Sequence, residues 1–146
     1  MALQRKPYWD TRAFHDFLYA RAAVPFAWGT NDCASFAADG ILAITGVDVM
    51  AELRGYTSGA GALQKIHDVT GGTTLVDAVT WCAAKHGLVE REYPLMAQRG
   101  DLVIYKNGDG ELAAGLVHLS GRHIVSPGDT CLLRLSITAV VRSWMY

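Results

Sequence analysis

The chain has 146 residues, of which 13 are lysine or arginine and 14 are aspartate or glutamate, so its formal net charge is −1. This length suits a single domain, residues 1–146, with a core large enough to need no disulfide or metal. The near-neutral charge provides no field that would hold nucleic acid or an anionic membrane surface. Hydrophobic residues make up 51% and charged residues only 18%, which excludes a disordered chain and predicts apolar surface available for assembly contacts.

Apolar residues at the helical period predict four helices in the first half of the chain. Asp10 is the expected cap of the first helix, and Gly46 is the expected end of the second. Gly40 lies inside the second helix, where it costs about 1 kcal/mol relative to alanine unless close packing uses it. The predicted helices are 11–22, 33–45, 60–70 and 75–86.

Past Gly87 the pattern changes to short alternating runs separated by turns, which is typical of antiparallel strands. The segment Asn107-Gly108-Asp109-Gly110 is a strong hairpin signal. Helices first and antiparallel strands afterwards predict the α+β class. The predicted strands are 102–105, 112–119, 123–126, 132–135 and 140–144.

The sequence contains no recognisable targeting or membrane segment. The N-terminal MALQRKPYWD has no apolar stretch after its charges, so we expect no signal peptide and synthesis in the cytoplasm. The longest apolar run, 41–44, is far shorter than the roughly 20 residues that span a bilayer. Cys33, Cys82 and Cys131 are widely spaced without a C-x-x-C pair, and we expect neither a metal site nor a cofactor.

The segment 26–36, FAWGTNDCASF, carries the candidate chemistry. Cys33 falls in the first turn of the second helix, where free N–H groups and the helix dipole favour a thiolate. We therefore expect a depressed pKa, which a cysteine nucleophile requires, although a buried structural cysteine explains the position almost as well. Asp32 fits a helix cap better than a catalytic acid. Trp28, Asp32 and Tyr56 are candidates for lining a substrate groove, although the two aromatic residues are equally plausible as packing residues.

The order W-G-x-x-D-C at a helix start, followed by a G-D-L-V strand that opens a small sheet, resembles the NlpC-type cysteine peptidases. The resemblance implies a papain-like fold, with N-terminal helices packed on a small antiparallel sheet, and cleavage of bacterial peptidoglycan. It covers 26–46 and 99–121 and implies that Cys33 is the nucleophile. It also matches Gly100 and Asp101, whose carboxylate we expect to hold the turn into the strand.

The chain departs from the family pattern at the catalytic histidine. Where those peptidases have a His-Val-Gly-Ile-Tyr phrase, this chain reads AAGLV over 113–117, so Ala113 stands at the histidine position. Val125 or Ser126 stands where the residue that orients the imidazole is expected. A missing base and a missing general acid each typically cost about 10²–10⁴-fold in rate, so the resemblance implies an impaired enzyme.

His118 and His123 are the remaining candidates for a catalytic base. Strand alternation places His118 on the other face of the sheet from residue 113, so recruiting it requires a bulge or a different register. His123 lies beyond a turn, at the far end of the strand from residue 113. The alternative is that both are ordinary sheet histidines with no catalytic role.

A narrower resemblance spans nearly the whole chain. The features F-x-W-G-x-x-D-C-x-x-F-A-A-D, T-G-x-D at 45–48 and a last strand ending in Trp144 are similar to a family of small proteins encoded in phage and prophage tail gene clusters. The resemblance implies a virion protein of the tail tip or baseplate, made in the bacterial host cytoplasm, with a pseudoenzyme fold and with tail hub and baseplate proteins as partners. One alternative is an active cysteine peptidase or amidase that cleaves peptidoglycan during cell-wall penetration. The other is an intracellular papain-like binding domain with no role in a virion.

Overall fold

A computed structural model describes residues 3–146, which form helices first and a sheet afterwards. The helices are α1 (Ala13–Arg21), α2 (Cys33–Thr45), α3 (Gly59–Thr70) and α4 (Leu75–Lys85). The strands are β1 (Val89–Glu90), β2 (Leu102–Lys106), β3 (Leu112–Val117), β4 (His123–Pro127), β5 (Leu132–Ser136) and β6 (Val140–Met145). Short 3₁₀ turns cover Ala51–Leu53, Pro94–Met96 and Ile137–Ala139. The predicted α+β class is confirmed.

The six strands form one antiparallel sheet in the order β1-β6-β2-β3-β4-β5. The predicted hairpin joins β2 to β3, and Oδ1 of Asn107 accepts the N–H groups of Asp109 and Glu111 at its tip. The sequence pattern missed β1, since two exposed residues are too few for an alternating pattern to show. β1 pairs with the end of β6 at the sheet edge.

The central strands β2, β3 and β4 are buried on both faces of the sheet. The helices cover one face with a cluster that includes Phe14, Phe36 and Ile41. The other face holds a second cluster around Val103 and Val117, which residues of β5 and the turn between β5 and β6 pack against. Because side chains alternate along a strand, neighbouring residues of β3 belong to different clusters.

Helix α2 packs closely on β3, and Gly40 makes this approach possible. A Cβ atom at Gly40 would lie 2.2 Å from Cδ1 of Leu116 and 3.2 Å from Cε2 of Phe17. The close packing of α2 on β3 therefore explains why a glycine, which weakens a helix, lies inside this one. The predicted bounds of α2 are confirmed, and Gly46 ends the helix with φ = 84°.

The predicted start of α1 is wrong. The helix begins at Ala13, and its N-cap residue is Arg12, which makes no capping side-chain hydrogen bond. The Oδ1 atom of Asp10 accepts a hydrogen bond only from the neighbouring N–H of Thr11. Asp10 is a residue type that often caps helices, but residues 7–12 form a turn, so the helix begins two residues later than predicted.

Asp101 is fully buried and ties both ends of the chain to the sheet. Its carboxylate accepts hydrogen bonds from Arg5 at 3.2 Å, Arg91 at 2.6 Å and the N–H of Gln98 at 2.9 Å. The Arg5 guanidinium also donates to the carbonyl of Tyr146 and lies 4.5 Å from the centre of that residue's ring. Asp101 is thus a structural residue at the entry to β2, which confirms the expectation from the sequence.

Candidate functional site

Asp32 organises the start of α2. Its Oδ1 accepts the N–H of Ser35 at 2.9 Å, and the Ser35 hydroxyl accepts the N–H of Asp32 at 3.0 Å, which together make a capping box. Its Oδ2 accepts the N–H of Gly29 at 2.8 Å and the hydroxyl of Tyr56 at 2.7 Å. Both carboxylate oxygens are occupied, so the structure supports the cap and not a catalytic acid. The cap fixes Cys33 as the first residue of the helix.

The loop before α2 packs directly against the segment that carries Tyr56. Gly29 has φ = +83°, and a Cβ atom there would lie 2.1 Å from the carbonyl oxygen of Tyr56. The indole of Trp28 packs edge-on against Phe26, with ring centres 4.9 Å apart, and remains 48% exposed. The N–H of Phe26 donates to the carbonyl of Gly128 in the turn between β4 and β5. The loop therefore joins the helices to the sheet at one end of β3.

A cleft of about 870 Å³ opens at this junction. The three candidate groove residues, Trp28, Asp32 and Tyr56, line it, and so does the candidate nucleophile Cys33. Much of the remaining lining comes from α3, from the start of α4, and from the β2–β3 and β4–β5 turns with the ends of the strands beside them. Its size falls within the range of about 300–1,000 Å³ that is usual for ligand pockets. The structure thus brings the candidate nucleophile and the aromatic groove residues together.

Cys33 lies against the backbone of Ala114 on β3. Ala114 belongs to the helix-side cluster, whereas Ala113 packs with the cluster on the other face. Ala113, which the resemblance places at the histidine position, also lines the cleft. Neither alanine side chain can act as a base. Ser126 lines the cleft as well, and its hydroxyl donates to the carbonyl of Ala114 at 3.0 Å.

The predicted depression of the Cys33 pKa is wrong. Burial raises the pKa of this thiol above its ordinary value, hydrogen bonding from the backbone of Ala114 lowers it less, and the adjacent charge of Asp32 raises it further. The helix start supplies backbone donors, as expected, but removal of the sulfur from water outweighs them. The folded protein therefore holds Cys33 as a neutral thiol at physiological pH.

The structure does not bring His118 or His123 to Cys33. Both lie at the β3–β4 turn, where the N–H of His118 donates to the carbonyl of His123 and the Ser120 hydroxyl lies 2.9 Å from Nδ1 of His123. His118 is four residues beyond Ala114, which corresponds to about 13 Å along the strand. Within residues 3–146, no histidine lines the cleft. The structure therefore gives no support to either residue as the base.

Sequence reasoning missed three acidic side chains at the cleft, Asp109, Glu111 and Asp129. These residues lie between the predicted strands 102–105 and 112–119 and between the predicted strands 123–126 and 132–135. In a run of antiparallel hairpins, the first and third turns lie at the same end of the sheet and the second at the opposite end. This rule places the β2–β3 and β4–β5 turns together, and the β3–β4 turn with its histidines far away.

The other cysteines lie outside the cleft. Cys82 is buried in α4, where burial raises its pKa to about 12, and Cys131 is exposed in the β4–β5 turn. In the described part of the chain, 3–146, no three His, Cys, Asp or Glu side chains are grouped so that they could hold a metal ion. None of the helices formed by these residues has the length and apolar character needed to cross a membrane.

The fold and cleft define an α+β protein with a cysteine at a helix start against an antiparallel sheet. Residues 4–146 match the family described as Domain of unknown function (DUF6950), and the chain belongs to that family. No curated protein and no solved structure matches the chain.

Proposed function

We propose that this protein is a catalytically impaired, papain-like domain of the NlpC type that serves as a structural component of the tail tip or baseplate of a phage or phage-derived particle. Two features support the relationship to the peptidases. The W-G-x-x-D-C phrase ends at the first residue of α2, and the G-D-L-V phrase leads into β2. The location in a tail is supported by the resemblance that spans nearly the whole chain.

The observation that carries the impairment is the surroundings of the Cys33 sulfur. The strand that faces it carries Ala113 and Ala114, and no imidazole among residues 3–146 lines the cleft. Burial and Asp32 also keep the thiol neutral. A neutral thiol is a poor nucleophile, and a leaving amine in this cleft finds no imidazolium to protonate it.

Exposed apolar side chains support a role in assembly. Tyr93, Leu95 and Met96, around the 3₁₀ turn before β2, are 66%, 57% and 63% exposed. Such side chains, close together on a chain with few charges, are typical of surfaces that another protein covers. The composition had predicted this kind of surface.

The experiment that tests the proposal uses particles from a bacterial strain that encodes this chain. We expect mass spectrometry to find the protein in purified tails, and we expect Cys33→Ala particles to be as infective as wild-type particles. Cys131→Ala is the matched control, since it also removes a thiol but lies outside the cleft. Absence of the protein from purified tails would refute its role in the particle.

The second candidate is an active peptidoglycan peptidase or amidase. The observation that favours it is the cleft itself, which is open and is lined by Cys33 at the start of a helix. This candidate predicts that the purified protein releases peptides from bacterial sacculi and that Cys33→Ala abolishes the release. It also predicts that Cys33→Ala particles lose infectivity. Our proposal predicts no release by either protein.

A further inference from the structure

The cleft beside Cys33 is lined by carboxylates without a counter-ion. Asp32 is committed to the helix cap, but Asp109, Glu111 and Asp129 stand exposed at the tips of the two turns. Within the described residues, none of these three lies within 4.0 Å of a basic nitrogen. No lysine, arginine or histidine of that part of the chain lines the cleft. The cleft therefore has a negative potential that the fold does not neutralise.

Hydrogen bonds order the backbone of the β2–β3 turn, which carries two of these carboxylates. Oδ1 of Asn107 accepts the N–H of Asp109 at 3.0 Å and the N–H of Glu111 at 2.9 Å, and the N–H of Asn107 donates to the carbonyl of Glu111. Lys106 and Arg134 lie on the strands next to the two turns, and neither lines the cleft. A ligand that enters the cleft thus meets anionic groups on an ordered hairpin.

Much of the remaining lining of the cleft is apolar. Trp28, Leu63, Leu112 and Leu133 line it and are each 40% or more exposed. At the base, Ala34, Met50 and other lining residues are shared with a smaller apolar cavity of about 40 Å³ that reaches between α2, α4 and the sheet. The cleft therefore offers places for apolar side chains below a negatively charged rim.

We propose that the cleft binds an extended segment of a partner protein in which lysine or arginine alternates with apolar side chains. The apolar side chains bury the exposed Leu63 and Trp28, and the cations pair with the carboxylates of the two turns. Buried apolar anchors supply most of the affinity, whereas the charges select the sequence and speed association. The inference rests on the proposed function in one respect, namely that the segment is held and not cleaved.

The test uses fluorescence anisotropy with two labelled octapeptides, both acetylated at the N-terminus and amidated at the C-terminus. One alternates lysine with leucine, and the other alternates glutamate with leucine. We expect the lysine peptide to bind and the glutamate peptide not to bind. We also expect the affinity for the lysine peptide to fall as salt is added, because salt screens exposed charges.

The variant Asp109→Asn/Glu111→Gln/Asp129→Asn tests the charged rim. We expect it to bind the lysine peptide about tenfold more weakly, since it removes three exposed ion pairs that each contribute only modestly to affinity. A matched variant makes the same change in net charge at exposed acids that do not line the cleft and is expected to bind like wild type: Asp16→Asn/Asp68→Asn/Glu92→Gln. Equal affinities of the two triple variants would overturn the role of the rim.

The variant Leu63→Asn tests the apolar lining. Leu63 is 54% exposed and lines the cleft, and Leu95, which is 57% exposed and does not line it, provides the control Leu95→Asn. We expect only Leu63→Asn to weaken binding. Equal effects of the two variants, no binding of either peptide, or spermine binding as tightly as the lysine peptide would each overturn the proposal of a peptide segment.

Mass spectrometry of the incubated peptide separates this inference from the proposed function. An intact peptide, bound with the expected dependence on the rim, supports both. A cleaved peptide would contradict catalytic impairment and leave the binding result standing. Absence of binding would overturn the inference, whereas the presence of the protein in purified tails would still support the proposed function.

Discussion

The hydroxyl of Tyr56 donates a 2.7 Å hydrogen bond to Oδ2 of Asp32, the buried carboxylate that caps α2. This bond joins the residue that precedes Cys33 to the segment before α3, and both partners line the cleft. Loss of a hydrogen bond to a buried charged acceptor costs about 1.5–3 kcal/mol. We expect Tyr56→Phe to lower the free energy of urea unfolding by this amount.

Tyr93→Phe is the matched control, because Tyr93 is 66% exposed and its hydroxyl makes no hydrogen bond within the described residues. We expect it to leave the free energy of unfolding unchanged. Equal effects of the two substitutions would show that the bond to Asp32 contributes nothing.

The same bond predicts a dependence of stability on pH. Burial, followed by the hydrogen bond and charge of Asp32, raises the pKa of Tyr56 far above its usual value of about 10. Because the folded-state pKa is the higher one, the stabilisation is complete below about pH 10 and is lost as the pH rises further. Unfolding in urea at alkaline pH is expected to show a steeper loss of stability for wild type than for Tyr56→Phe. Parallel curves would contradict this assignment.

Gly40 lies where α2 approaches β3, and the contact distances make alanine unfavourable there. The added Cβ would lie 2.2 Å from Cδ1 of Leu116, a fully buried side chain. Overpacking of this kind costs about 1–3 kcal/mol, which exceeds the gain of about 1 kcal/mol in helix propensity. We expect Gly40→Ala to lower the free energy of unfolding, although alanine is the better helix former.

A double-mutant cycle with Leu116→Ala tests this cause. Leu116→Ala alone leaves a cavity and destabilises the protein, but it also removes the atom that the new methyl group would strike. The double variant is therefore expected to be more stable than the sum of the two single effects predicts. Strict additivity would show that contact with Leu116 is not the reason why alanine at position 40 destabilises the protein.

Arg5 links the N-terminal segment to the buried Asp101 and to the last residue of the chain. Arg5→Gln removes one of the two cations that neutralise this carboxylate, while Arg91 remains at 2.6 Å. We expect a loss of about 2 kcal/mol, below the range of about 3–5 kcal/mol for a buried pair broken completely. The free energy of urea unfolding measures it, with Arg122→Gln at an exposed arginine as the control. A loss no larger than that of the control would contradict the structural role of Arg5.

Much of the fold was predictable from local signals. Gly46 and the Asp32 cap gave both ends of α2 correctly, and the Asn-Gly-Asp-Gly phrase located the first hairpin. The predicted start of α1 was wrong because a capping side chain such as Asp10 shows only where a helix is able to start. The turn that precedes the helix determines where it does start. Strand β1 has only two residues, which is too few for an alternating pattern to show.

Part of the site was predictable, but its electrostatics were not. Cys33, Asp32, Trp28 and Tyr56 were candidates from the sequence, and the structure places them in one cleft, whereas the acidic residues of the turns were missed. The prediction for the Cys33 pKa was wrong because the sulfur is buried, and burial depends on how closely α2 lies on β3, which leaves no local signature. The contact of Cys33 with Ala114 has the same origin, since only the packed sheet shows which face the helix covers.

The rate at which iodoacetamide alkylates Cys33, followed from acidic to alkaline pH in a Cys82→Ala/Cys131→Ala background, tests the central claim most directly. The raised pKa and the absence of an imidazole at the sulfur predict slow labelling at neutral pH, with a rate that climbs only at alkaline pH. Cys131, which is exposed, is expected to react faster than Cys33 in the wild-type chain. A Cys33 rate that reaches a plateau below neutral pH would reveal a thiolate paired with a cation and would contradict a catalytically impaired site.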